Sequence, residues 1–109
     1  MLVTNDTIAF EKYHLYPTKG LLNDPNGLVF FKGQYHVFYQ WNPKACDHKY
    51  KEWGHFISDD LKTWRRVESA LKPSLENLDS AGIYSGAAFG KDDRLSVVYT
   101  GHVRDPARD

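Results

Sequence analysis

The chain has 109 residues, of which 41% are hydrophobic and 15% aromatic, enough apolar material for the core of one small globular domain. Its 14 basic and 14 acidic residues cancel, which argues against nucleic acid or an anionic membrane as a partner and suits a neutral ligand. The first residues carry neither a basic start nor an apolar run, and Cys46 is the only cysteine, so we expect no export, no membrane span and no internal disulfide, and a cytoplasmic location.

The first predicted element is a rigid bend at residues 20–27, which read Gly-Leu-Leu-Asn-Asp-Pro-Asn-Gly. Pro25 has a fixed φ and favours an extended conformation for Asp24, whereas Asn26 and Gly27 tolerate positive φ. The bend would therefore aim the Asp24 carboxylate at the mouth of a sheet, where a nucleophile could lie. The same turn residues also occur in Asx-type turns that have no catalytic role. The role of Asp24 therefore has to be inferred from the residues around it.

The residues that follow alternate between apolar and polar side chains, which predicts an all-β fold. Three hairpins are expected: strands 28–31 and 35–39 joined through residues 32–34, strands 53–58 and 63–67 joined through residues 59–60, and strands 84–89 and 95–99 joined through residues 90–93. Insertions at 42–52 and 71–82 separate the hairpins. Four antiparallel strands followed by two more correspond to one β-propeller blade and part of the next, and a blade needs neighbours to bury its faces.

Seven short motifs occur in an order known from one enzyme family, at residues 13–15, 22–27, 35–43, 53–55, 60–64, 84–88 and 98–101. Together they resemble the glycoside hydrolases that cleave β-fructofuranosides, such as invertases, levanases and sucrose-6-phosphate hydrolases. Leu21 and Leu22 replace the usual Trp-Met, and His48 replaces a further Trp. These departures resemble the bacterial sucrose-6-phosphate hydrolase branch.

The resemblance implies a five-bladed propeller followed by a β-sandwich, in chains several times longer than this one. Residues 1–109 are therefore expected to be the N-terminal part of a catalytic propeller domain, with the remaining blades and the sandwich absent, and to be inactive alone. The implied reaction is hydrolysis of sucrose-6-phosphate or sucrose with retention of configuration. No cofactor and no metal are implied.

Retaining hydrolysis requires two carboxyl groups roughly 5 Å apart. The resemblance makes Asp24 the nucleophile and implies substrate contacts from Leu21, Leu22, Asn23, Gln40, Tyr84 and Ser85. The acid/base of the family is a Glu in a Glu-Cys motif, which does not occur in this sequence. The other glutamates, Glu11, Glu52, Glu68 and Glu76, are predicted to be solvated surface charges.

Several alternatives stay open from the sequence. Gln40 could simply cap a strand end, and Tyr84-Ser85-Gly86 could mark a β-bulge without a role in binding. Trp53 and Trp64 are predicted to belong to the core. A basic insertion formed by Lys44, His48, Lys49 and Lys51 could meet a substrate phosphate or be a solvated loop.

The tripeptide Arg104-Asp105-Pro106 matches the letters of a third family carboxylate motif but follows the preceding strand too soon. It is either a chance match or a sign of lost intervening sequence, and Asp105 is not assigned to the site. The alternative to an enzyme is a non-catalytic sugar-binding module, or a truncated product, that lacks the acid/base Glu.

Overall fold

The computed structural model describes residues 14–74, 78–105 and 107, which form two antiparallel β-sheets. The first is a four-stranded sheet in the order β1-β2-β3-β4, and the second pairs β5 with β6. The strands are β1 Leu21–Phe31, β2 Gln34–Asn42, β3 Glu52–Ser58, β4 Arg65–Leu71, β5 Gly82–Lys91 and β6 Arg94–His102. The described residues contain no helix, and accordingly no helix among them is long and apolar enough to cross a membrane.

Two of the three hairpins close through two-residue turns. In the first, Lys32 and Gly33 both take positive φ, at 48° and 78°, so the predicted glycine turn is confirmed. In the third, Asp92 and Asp93 have φ of 50° and 53°, and the turn is tighter than the predicted residues 90–93. Positive φ at both central residues matches the right-handed twist of the flanking strands, and Asp tolerates it better than most residues.

The second hairpin has a longer connection than predicted. Its second strand begins at Arg65 rather than at residue 63. The Asp60 carboxylate accepts hydrogen bonds from the backbone N–H groups of Lys62 and Thr63, both at 2.8 Å, and Leu61 lies at φ 65°. The prediction was wrong here because an aspartate side chain binds backbone donors that a strand would need for its ladder.

Strand β1 begins seven residues before the predicted strand start at residue 28, and thus includes the expected bend. Its register with β2 shifts twice, between Asn23 and Pro25 and again between Asn26 and Val29. The extended conformation expected for Asp24 is wrong, because Asp24 is the extra residue of the first bulge and takes a φ of 36°. Pro25 is accommodated because its missing N–H is tolerated at a bulge.

The side chains of β2 alternate between two cores. On one face, Tyr39 and Trp41 pack with Phe56. On the other, Phe38 packs with Trp53 and Ile83, so this cluster joins the first sheet to β5 of the second. Burial of each such side chain contributes about 1.5–3 kcal/mol.

Both predicted core tryptophans are confirmed. Trp53 is fully buried, and the partly buried Trp64 packs against the Tyr39 cluster.

Two histidines extend the Phe38 cluster along the first sheet. The rings of His36 and His55 stack with centroids 5.1 Å apart, and His36 Nδ1 lies 2.9 Å from His55 Nε2, a hydrogen-bonding distance. The Phe38 ring stacks on His55 at 4.4 Å. Burial, helped by the neighbouring His36, lowers the pKa of His55 to about 4. His55 is therefore neutral at physiological pH.

Candidate functional site

The bulge in β1 presents the Asp24 carboxylate to solvent. Asn23 pairs with Gln40 and Pro25 pairs with Tyr39, so Asp24 has no partner on β2 and its side chain is exposed. The side chain of Asn26 is buried, and its Nδ2 donates to the backbone carbonyl oxygen of Asp24 at 3.0 Å, which stabilises the bend from its buried side. β-Bulges next to functional sites commonly redirect a side chain in this way.

A second bulge lies in β5 and contains Tyr84 and Ser85. The register shifts between Ile83 and Gly86, so two residues oppose one on β6. A Cβ atom on Gly86 would collide with the Val98 carbonyl oxygen, so only glycine allows this close approach. The bulge predicted as an alternative for this segment is therefore present, and a sugar contact from the same residues stays a prediction.

The buried Trp53 and a second ring hold the Tyr84 segment in place. Trp53 Nε1 donates to the Tyr84 carbonyl oxygen at 2.9 Å. The Tyr84 ring stacks on His102 with centroids 4.8 Å apart. The second bulge is thus anchored to the core of the first sheet.

A chain of side-chain hydrogen bonds connects the two bulges. Asn23 Nδ2 donates to Gln40 Oε1 at 2.6 Å, and Gln40 Nε2 donates to Ser85 Oγ at 2.9 Å. Gln40 is buried, whereas Asn23 and Ser85 are half-buried. The structure thus brings together three residues predicted to bind substrate, from three different strands, and one of them, Asn23, directly precedes Asp24 in the chain.

The two predicted leucine contacts lie at the start of β1. Leu22 pairs with Trp41 and packs against the Tyr39 cluster, so part of its side chain belongs to the core. Leu21 pairs with Asn42 and is half-buried. Contact of either residue with a sugar stays a prediction.

Lys51 lies next to the candidate site, in a buried position that the sequence analysis did not predict. It is only 2% exposed, and its ammonium group donates to Asn23 Oδ1. Burial lowers the pKa of Lys51, and the carboxylates of Asp24 and Asp47 oppose that shift. One signal was available: Lys51 directly precedes β3 and is two residues before Trp53, which pairs with Gln40. If the alternation of the strand continued by one residue, the Lys51 and Trp53 side chains would lie on the same face.

Glu52 is buried, so its assignment as a solvated surface charge was wrong. It is 5% exposed and accepts hydrogen bonds from the hydroxyls of Tyr50 at 2.7 Å and Ser69 at 2.6 Å. Burial and the bond to Glu52 raise the pKa of Tyr50. Two hydroxyl donors compensate for removing the carboxylate from water. Glu68 is exposed as predicted, while Glu11 and Glu76 lie outside the described residues.

The insertion between β2 and β3 is organised by the buried Asn42. Its Nδ2 donates to the Asp47 carbonyl oxygen at 3.1 Å, and its Oδ1 accepts from the Lys44 N–H at 3.0 Å. The Lys44 ammonium lies 4.1 Å from the centre of the Tyr50 ring. The side chains of Lys44, His48 and Lys49 are exposed. Because Lys51 is buried, the basic insertion consists of these three residues and not of four.

Asp105 stays unassigned. It is exposed, and its Oδ1 accepts the Ala107 N–H at 2.9 Å, a local turn contact. Pro106 of the same tripeptide lies outside the described residues. Within the described ranges, no group of three or more His, Cys, Asp or Glu side chains could hold a metal ion.

Comparisons with known proteins agree on one family. Residues 14–109 match the sequence profile described as "Glycosyl hydrolases family 32 N-terminal domain". The sucrose-6-phosphate hydrolase of Bacillus subtilis (strain 168) is 52% identical over 103 residues, which are 94% of this chain and 21% of the relative. The chain thus spans about a fifth of the length of the curated relatives it matches.

Solved structures give the same picture. A sucrose-6-phosphate hydrolase from Lactobacillus gasseri superposes with a TM-score of 0.81 and 44% identity, over 88% of this chain and 20% of that one. A mutant β-fructofuranosidase of Bombyx mori in complex with sucrose superposes with a TM-score of 0.73 and 33% sequence identity, over 89% of this chain and 20% of that one. The predicted fold class is confirmed: an all-β chain that forms the first blade and part of the second blade of a five-bladed propeller.

Proposed function

This chain belongs to the glycosyl hydrolases of family 32, and on that premise we propose that the complete protein hydrolyses the β-fructofuranoside bond of sucrose-6-phosphate or sucrose. By the complete protein we mean the product of the whole reading frame that contains these residues. In this proposal, residues 1–109 are the N-terminal part of its catalytic propeller domain.

The observation that carries the proposal is the exposed carboxylate of Asp24 on a bulge beside a fixed chain of amide groups. A retaining hydrolase needs a carboxylate held close to the anomeric carbon, and positioning supplies a large share of the rate. The Asp24 backbone is held by the β1–β2 ladder on either side and by the Asn26 amide. Its carboxylate is therefore free to react while its backbone is fixed.

In the proposed reaction, an oxygen of Asp24 forms a bond to the anomeric carbon of the fructosyl ring as the bond to the glucose oxygen breaks. The electron pair goes to that oxygen, which takes a proton from a general acid. The general acid is the family Glu of a Glu-Cys pair, which these residues do not contain. Water then cleaves the fructosyl ester and restores Asp24, so configuration is retained.

The hydrogen-bonded amides are suited to a sugar. Asn23 and Gln40 each keep one further amide hydrogen beyond the bond that each donates, and carbonyl lone pairs also remain. Hydroxyl groups of a fructosyl ring both donate and accept hydrogen bonds, so they match such a mixed set. Ser85 adds a hydroxyl at the end of the chain of bonds.

A preference for the phosphorylated substrate is the finer part of the proposal. It is supported by the exposed cations Lys44, His48 and Lys49 on the insertion, and by the name of the 52% identical relative. Asp47 on the same insertion is held by Asn42, which turns this carboxylate inward. Exposed ammonium groups can bind phosphate as point charges.

The function is tested by Asp24→Asn in the complete protein. The amide keeps the shape and tolerates positive φ but cannot form the fructosyl ester, so we expect hydrolysis of both sucrose and sucrose-6-phosphate to fall about a thousandfold or more with little change in thermal stability. Asp93→Asn is the matched control, because Asp93 is also exposed at positive φ, 53°, but lies in a hairpin turn.

Two results would return Asp24 to the role of a turn residue: activity retained in Asp24→Asn, or a loss of stability as large as that of a core mutation. If the unaltered complete protein binds sucrose or sucrose-6-phosphate but hydrolyses neither, the chain is part of a sugar-binding module instead.

A further inference from the structure

Lys51 lies at the junction of the two sheets, a position that nothing in the reaction chemistry described above uses. Its backbone carbonyl accepts the Ile83 N–H of β5 at 2.9 Å, which fixes it between the two blades. Its side chain is 2% exposed. Lysine is almost never fully buried unless it is paired, so this burial requires a reason.

The ammonium group determines the direction of the hydrogen bonds at the site. It can only donate, so the Asn23 carbonyl oxygen must face Lys51 and the Asn23 amide nitrogen must face Gln40. The Gln40 carbonyl oxygen then faces Asn23, and its amide nitrogen faces Ser85. Every bond in the chain follows from the first.

Without the ammonium group, the chain of bonds has two equivalent forms. If both amides rotate by half a turn, Gln40 donates to Asn23, and the Ser85 hydroxyl donates to Gln40, with all partners still satisfied. The two orientations differ in energy only if a group that can donate but not accept lies at one end of this chain of hydrogen bonds. Lys51 is the donor-only group at that end among the described residues.

Resting on the function proposed above, we propose that Lys51 is a positioning residue, whose ammonium group fixes the Asn23 and Gln40 amides in the one orientation that binds the fructosyl ring beside Asp24. A reversed amide would offer a donor where the observed orientation offers an acceptor, so the hydroxyl groups of the sugar would have to reorient before they could bind. The charge of Asp24 also lies near enough to favour the charged form of Lys51, against the effect of burial.

Three substitutions in the complete protein test this. Lys51→Met keeps the apolar stem but no donor, and we expect kcat/KM to fall about tenfold to a hundredfold, with KM raised and the melting temperature unchanged or higher. Lys51→Arg is also donor-only and should recover most of the loss. The side chain of Lys51→Gln can offer Asn23 either its NH2 donor or its carbonyl acceptor, so this variant should recover little of the lost kcat/KM. Lys91→Met is the control, because Lys91 is exposed at the end of β5.

The proposal is supported if kcat/KM is higher for Lys51→Arg than for Lys51→Gln and Lys51→Met, while the melting temperatures of the three variants do not follow the same order. Wild-type kcat/KM in Lys51→Met overturns it, and so does a loss that follows falling stability and is not recovered by Arg. Neither result bears on the proposed function, which is tested separately by Asp24→Asn and by the hydrolysis of the two sugars by the unaltered complete protein. If Lys51→Met does not fold, the comparison of Arg with Gln decides in the same way.

Discussion

Acid is expected to destabilise the protein through His55. Burial lowers the pKa of this side chain to about 4 in the folded chain, whereas the ordinary value is 6.5. Between these two pH values the unfolded chain binds a proton that the folded chain does not, so the free energy of unfolding falls as the pH falls. The gap corresponds to about 3 kcal/mol at about 1.4 kcal/mol per pH unit. The loss begins near pH 6.5 and is complete near pH 4.

The assay is urea unfolding of the complete protein at about pH 7.5 and about pH 4.5, compared with His55→Gln, whose amide can still bond to His36 but does not titrate. Between these conditions the wild type should lose about 2.5 kcal/mol more than the variant. His48→Gln, at an exposed histidine, should lose as much as the wild type. Equal losses in wild type and His55→Gln would refute the reasoning, since His55 would then titrate alike in both states.

Two further predictions concern the insertion and the second bulge. Replacing Lys44 or Lys49 by Gln in the complete protein should lower kcat/KM for sucrose-6-phosphate relative to sucrose by about tenfold, with the effect fading at high salt; an unchanged ratio in both variants would make the insertion a solvated loop. Gly86→Ala should lower the free energy of unfolding by about 1–3 kcal/mol and reduce turnover, because its Cβ collides with the Val98 carbonyl oxygen; wild-type stability and turnover would contradict the close approach.

Most of the fold could be predicted because its signals are local. The alternation of apolar and polar residues predicted the ends of every strand except β1 to within a few residues, and Gly33 indicated the first turn. The early start of β1 could not be predicted from Pro25 and Asn26, since turn residues are also what a bulge requires. Whether such a segment stays in the ladder depends on pairing with β2, which is a non-local property.

The candidate site could be predicted in part only. Asn23 and Gln40 are 17 residues apart, and Gln40 and Ser85 are 45 apart, so the chain of bonds between them depends on strand register and on the packing of two sheets. Glu52 was expected to be solvated because charged residues usually are, and Lys51 was left open between a phosphate contact and a solvated loop. Their burial follows from partners on neighbouring strands, which composition does not reveal.

The most direct test of the central claim is to trap the covalent intermediate. The complete protein would be incubated with a fructoside that is hydrolysed slowly, quenched with acid, digested and analysed by mass spectrometry. We predict one fructosyl group attached to the peptide that contains Asp24, localised to that residue by fragmentation and absent from Asp24→Asn. An active enzyme that carries the label on a different residue would contradict the account.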